Sequence, residues 1–418
     1  MTLDLLIRNA RLSDHAAPVD IGIRAGRIAA IAPRITSDAP VTEAAGGRLI
    51  RGFADSHLHL DKACLLDRAA NPAGTLQGAI EAVSAAKRDF TTADVYARGA
   101  RVLEKAICQG TNLIRAQTEI DPIIGLAGFE AVRQLKRDYA WALELQICVF
   151  PQEGLLNNPG TEDLLRRALD QGADLLGGCP YTDTDPDGQI ARLFAMAHQY
   201  DVDLDFHLDF DLDTGWRHLD EVARQTIAHG WQGRVAIGHV TKLSMLPPAA
   251  LDETIALMGD AGLALTVLPA TDLFMMGRDH DHAVPRGVAP AHRAHAAGLC
   301  CTVATNNVLN PFTPYGDCSL PRMANLFANV AQIGDPEGLR ACFEMVTTAP
   351  NRLLGRDDTI AEGDPADLVL LPCDTAVAAV AEIARPLWGM KAGRMTFAAP
   401  QPTLLRPEGV APRQTAPA

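Results

Sequence analysis

Eight short apolar runs alternate with stretches of helical periodicity, and this alternation constrains the chain more than any other feature. The runs cover 48–57, 111–119, 142–153, 173–180, 202–207, 234–239, 263–269 and 301–307. The helical stretches cover 76–108, 124–139, 161–171, 188–199, 216–229, 247–261, 288–297 and 337–347, with Thr161 reading as an N-cap. Alternating strand and helix signals imply a parallel sheet. Eight pairs imply a closed (β/α)8 TIM barrel, an α/β fold. No short fixed period is visible, which excludes a solenoid. Both chain ends look different. Residues 1–50 read as short strands, with a Gly-centred turn in IGIRAGRIAAIAP at 21–33. Residues 367–374 read as a strand, and 387–398 as a hairpin around Ala392-Gly393. From Pro400 the chain is rich in Pro, Ala and Thr, the composition of a loose tail.

Composition narrows the function. The 418 residues carry 37 Lys+Arg against 51 Asp+Glu, a net charge of −14. Without Lys/Arg clusters that balance argues against nucleic acid as a partner. No apolar run approaches a membrane span. The nine cysteines are scattered, with no CxxC pair, so they read as small buried hydrophobes of a reducing compartment. MTLDLLIRNARL has no signal-peptide core, and the expected location is cytoplasmic.

In a (β/α)8 barrel the chemistry sits at the C-terminal strand ends. Here those ends carry His57, His59, Gln117, Glu119, Gln152, Glu153, His207, His239, Asn306 and Asn307. His57-Leu58-His59 sends two imidazoles to one side of a strand. With His207 and His239 on later strands, the set suits a catalytic metal with an open position.

These residues resemble the amidohydrolase superfamily, and within it the cytosine-deaminase-like branch. The resemblance runs over nearly the whole chain, through HLHLD at 57–61, FPQEG at 150–154, FHLD at 206–209, GHVT at 238–241, NNVLNPFTPYG at 306–316, and GDPADLVLL at 363–371. It implies a composite β-sandwich from 1–52 and 353–400, a barrel over 53–352, and a loose tail at 401–418. It implies that His57, His59 and His207 ligate one divalent metal ion, zinc or iron. His239 would act beside the substrate carbonyl or leaving nitrogen, and Gln152 would bond the edge of a planar heterocycle. Relatives are often oligomers, so the resemblance also admits a homo-oligomer.

Two positions depart from the branch. It places an Asp at the end of the eighth strand, where this chain has Asn306, and Asn307 and Asn310 also stand where Asp is common. It places a Glu three residues after the fifth-strand His, where this chain has Phe210. An Asn oxygen can coordinate a metal but is no carboxylate base. Asn306 thus joins the metal set, while Phe210 and Asn307 become substrate-facing. The substitute proton carrier is open among Asp209, Asp211, Glu119, Glu153, Asp317 and His239 itself. Asp279-His280-Asp281-His282 reads as a solvated loop near the barrel mouth rather than a second metal site. Lys62 is no bridging lysine, since two-metal members place theirs at the end of strand four, here CPYTD. Phe274, Met275 and Met276 read as packing residues, and no nucleotide-binding fingerprint is present.

The reading is a metal-dependent hydrolase acting on a C–N bond of a small cyclic nitrogen compound, in a deaminase-like reaction on a heterocycle. One rival is an amide, imide or substituted-amine hydrolase with another proton path. The other is a catalytically degenerate barrel that binds a heterocycle or a protein.

Overall fold

The computed structural model describes residues 2–399, 401, 402, 404 and 405. The tail expected at 401–418 therefore lies almost wholly outside the described residues. Eight parallel strands form the barrel: β1 (Phe53–His59), β2 (Thr111–Glu119), β3 (Glu144–Phe150), β4 (Leu175–Gly178), β5 (Leu204–Leu208), β6 (Val235–His239), β7 (Leu263–Val267) and β8 (Cys301–Val303). They pair in chain order. Runs such as VAIGH and LALTV are buried at every position, as strands covered on both faces must be. The barrel closes just beyond β8. Asn306 N donates to His57 O at 2.8 Å, and His59 N donates to Asn306 O at 2.9 Å.

Most expected helices form, with instructive differences. The stretch 76–108 is two helices, Leu76–Lys87 and Thr92–Cys108. Thr75 and Thr91 each cap one, their side chains accepting from Gly78 N and Asp94 N. Thr161 is not an N-cap. Gly160 precedes the helix Thr161–Asp170 in a left-handed conformation, and the Thr161 hydroxyl is buried without a partner. Helices Pro269–Met275 and Leu320–Ala331 have no counterpart among the expected helices. The run 48–57 is divided between a short outer strand, Arg48–Ile50, and β1.

Two four-stranded sheets from the chain ends lie outside the barrel. One is built from 5–10, 19–24, 27–32 and 41–43, the other from 48–50, 368–371, 388–391 and 394–398. They share a core of Ile7, Ile21, Ile23, Leu49, Leu368 and Trp388, among others. Two hairpins turn on Ala25-Gly26 and Ala392-Gly393, all four residues at positive φ, as a two-residue type I′ turn demands. The turns touch, and a Cβ on Gly26 would lie 2.9 Å from Ala392 O.

Between the barrel and its outer helices, a Cβ on Gly178 would lie 2.5 Å from the Phe206 ring and 2.7 Å from Leu193. Gly178→Ala is therefore expected to lower unfolding free energy by about 1–3 kcal/mol through overpacking. Urea denaturation checks this, and Phe206→Leu in the same chain should recover part of the loss.

Candidate active site

The imidazoles of His57 and His59 on β1 meet that of His207 on β5. His57 Nε2 lies 3.1 Å from His207 Nε2, which lies 3.2 Å from His59 Nε2. All three rings are buried. Burial, reinforced by neighbouring positive groups including Lys62, pushes each of them well below the ordinary histidine pKa. Neutral rings with their Nε2 atoms gathered at one point direct lone pairs at each other, an arrangement that a shared cation relieves. Carboxylates stand behind two of them, Asp205 Oδ1 at 3.9 Å from His57 Nδ1 and Asp61 Oδ1 at 3.8 Å from His59 Nδ1. A carboxylate on that side favours the proton on Nδ1 and leaves Nε2 free to ligate. The Asn306 amide is buried with neither its oxygen nor its nitrogen partnered, and its backbone lies between His57 and His59. This donor set fits one divalent transition metal, with a neutral amide oxygen where many such sites have a carboxylate.

His239 ends β6 with φ +68°, followed by Val240 at φ +47°. Asp209 and Asn306, just past β5 and β8, are left-handed as well. A β-branched residue rarely adopts this conformation, and such strain concentrates where side chains must be aimed. His239 Nδ1 bonds Asp272 Oδ1 at 2.6 Å. Asp272 is fully buried and also accepts from Leu268 N at 3.2 Å. Burial raises its carboxyl above the ordinary range, and the imidazole opposes that rise. With Nδ1 committed to Asp272, Nε2 is the atom left to exchange a proton. Phe210 stacks on the His239 ring, centroids 3.8 Å apart, and Phe150 stacks on His207 at 4.4 Å. The imidazoles thus face apolar walls rather than water.

Gln152 Oε1 accepts from Lys62 Nζ at 2.9 Å, and Gln152 Nε2 reaches Cys179 Sγ at 3.3 Å. Lys62 Nζ also donates to Glu119 Oε1 at 2.7 Å and lies 4.4 Å from the Phe312 ring centroid. Two of its three N–H groups are used in these hydrogen bonds. Burial works against the Glu119 charge, but the ammonium groups of Lys62 and Lys87 hold this carboxyl down at about 2.

The carboxylates weighed as substitute proton carriers are engaged elsewhere. Asp209 caps the helix His218–His229, accepting from His218 N at 2.9 Å and Leu219 N at 3.1 Å. Asp211 pairs with Lys242 at 3.2 Å and Asp317 with Arg322 at 2.9 Å. Glu119 and Glu153 hold Lys87. The carboxylate that does meet a strand-end histidine, Asp272, was not among the candidates. It sits on the unanticipated helix Pro269–Met275, whose sequence signals are Pro269 and Asp272 itself in the first turn. Asn307 Oδ1 accepts from Asn310 Nδ2 at 2.6 Å, and Asn307 lines a cavity of ≈ 770 Å³ with Leu273, Phe274, Tyr315 and Leu326. Asp279–His282 is an exposed loop.

The model described as "Amidohydrolase family" matches residues 110–397. The chain belongs to the amidohydrolase family. It is 31% identical to a pterin deaminase of Rhizobium rhizogenes, over 86% of this chain and 83% of that protein. It is 28% identical to the N-isopropylammelide isopropyl amidohydrolase of Pseudomonas sp., over 94% of this chain and 96% of that one. The structure of 5-methylcytosine deaminase from Klebsiella pneumoniae liganded with phosphonocytosine superposes with a TM-score of 0.91, at 26% identity, over 96% of this chain and 100% of that one. The resemblance drawn from the motifs and the barrel fold both hold for this amidohydrolase.

Protein purified without chelators or a polyhistidine tag is expected to carry about one equivalent of a divalent transition metal. Mass-spectrometric metal analysis should find it gone from the His57→Ala, His59→Ala variant. Asn306→Asp should hold the metal against a higher chelator concentration.

Proposed function

We propose that this amidohydrolase cleaves the exocyclic C–N bond of an aminated nitrogen heterocycle, releasing ammonia or an amine and leaving a ring lactam. The observation that carries the reading is the pairing of two devices at one barrel mouth. Three neutral histidines converge on a point, and a fourth histidine beside them is held by a buried carboxylate. The relatives support the substrate class, since pterin, ammelide and 5-methylcytosine are all planar nitrogen rings.

His57, His59 and His207, with the Asn306 amide oxygen, would hold the metal. A divalent ion bound there supplies Lewis-acid activation of water. Everything else falls to the chain's own groups. Water adds to the ring carbon bearing the amine, the C–N bond breaks, and the amine leaves with the proton that the water gave up. His239 Nε2 carries that proton, while Asp272 keeps the ring in the tautomer with Nδ1–H and stabilises its cationic form. Lys62 Nζ and the Gln152 amide bind the polar edge of the ring, Lys62 through its unused N–H. Asn307 would stand on the β8 side, next to Asn306. Phe210 packs on His239 and leaves no carboxylate on that wall, so proton transfer rests on His239.

A screen of aminated pyrimidines, pterins and triazines for released ammonia or amine tests the proposal, and product analysis distinguishes the two leaving groups. Asp272→Asn should lower kcat by about 10²–10⁴-fold with metal content retained and KM nearly unchanged. Full activity in that variant, or an absence of turnover in metal-loaded wild-type protein across the screen, would sink this reading.

A further inference from the structure

Carboxylate oxygens of Glu119, Asp121 and Glu153 lie within 4.8 Å of one another, close enough to share a cation. The cation they share is a side chain. Lys87 Nζ lies 2.7 Å from Glu119 Oε2, 2.8 Å from Asp121 Oδ2 and 2.5 Å from Glu153 Oε1. Lys87 ends the helix Leu76–Lys87 and is 1% exposed. Glu119 spans two ammonium groups, since its other oxygen accepts from Lys62, which also bonds Gln152. The path Lys87–Glu119–Lys62–Gln152 ties the loops after β1 and β3 to the end of β2.

Stability alone is a poor reason for this array. Desolvating several charges offsets most of their mutual attraction, and apolar residues of similar volume often serve as well. What the array does achieve is directional. Glu119 can point one oxygen at Lys62 because Lys87 fixes the other. Without Lys87, three carboxylates would crowd with Lys62 alone beside them, on Glu119. Glu119 would then shift or take up a proton, and Lys62 would lose its fixed acceptor.

We propose that Lys87 is a positioning residue for substrate recognition: through Glu119 it aims the Lys62 ammonium and the Gln152 amide at the ring. This rests on the reading that Lys62 and Gln152 bind the ring edge. Lys87 itself touches no reacting atom.

Two variants test it. Lys87→Met keeps the apolar stem and removes the charge, and Glu119→Gln keeps the volume and removes the shared carboxylate. The first measurement needs no substrate. The rate of Lys62 acetylation by acetic anhydride, read by peptide mass spectrometry on folded protein, should rise about fivefold or more in both variants as the ammonium loses its carboxylate. An unchanged rate in both overturns the proposal. The second measurement uses whichever aminated ring wild-type enzyme turns over fastest. Lys87→Met should raise KM about tenfold with kcat within about threefold, the mark of lost binding rather than lost chemistry. A fall in kcat at constant KM also overturns it. If wild-type protein turns over no heterocycle, the proposed function fails, and the labelling rate still decides whether Lys87 positions Lys62.

Discussion

The barrel closes through one residue, and the candidate site depends on that closure. The backbone of Asn306 gives and accepts the two hydrogen bonds that join the end of β8 to His57 and His59. β8 itself is only three residues long, so the sheet is completed beyond it by this left-handed residue. The closure also holds the histidine pair of β1 beside the Asn306 amide. Barrel closure and the candidate metal site therefore share the same pair of bonds.

Around that seam the molecule keeps two kinds of burial apart. Toward the histidines, burial removes charge: the three imidazoles are neutral, and aromatic rings cover His207 and His239. One layer away, burial retains charge in paired form, Arg115 on Asp205 at 2.9 Å and Lys62 and Lys87 on Glu119. A neutral ligand set can accept a cation without first losing protons. Paired charges next to it can orient groups without presenting a free carboxylate. The positive φ values at Asp209, His239, Val240 and Asn306 fit the same picture, since each ends a strand whose side chains must be turned to a given point.

The strands were legible because a doubly covered strand is an uninterrupted apolar run, and the histidines because polar residues at the ends of such runs are conspicuous. VAIGH carries both signals in five residues. The hairpins were legible because a glycine between two β-prone runs supplies the positive φ that a tight turn needs. What escaped was whatever depends on a contact far along the chain. Asp272 looks like an ordinary helix-start acid, and only the fold sets it against His239, 33 residues earlier. Lys87 looks like one of many basic residues near a helix end, and nothing local marks it as the buried partner of three carboxylates. The break at Thr91 was missed because the periodicity continues through it, although Thr91 caps the helix that follows. Asp209 was weighed for chemistry, yet a carboxylate that accepts from the first N–H groups of a helix is already committed.

Asn306 and Phe210 bear on one another. A carboxylate at either position would add negative charge beside a ligand set that is neutral here, and would offer a second acceptor for protons. With an amide at one and a phenyl ring at the other, the proposed reading would assign the proton to the hydrogen-bonded His239–Asp272 pair, and Phe210 is the ring that packs on that histidine. The Asp272 carboxylate faces His239 Nδ1, on the side away from the free Nε2. It supplies the charge that would stabilise a cationic imidazole without placing a carboxylate against the substrate. On the proposed reading, the two departures from the branch's pattern would leave proton transfer to the β6 side of the barrel, where the left-handed His239-Val240 backbone aims the ring and Asp272 bonds its Nδ1.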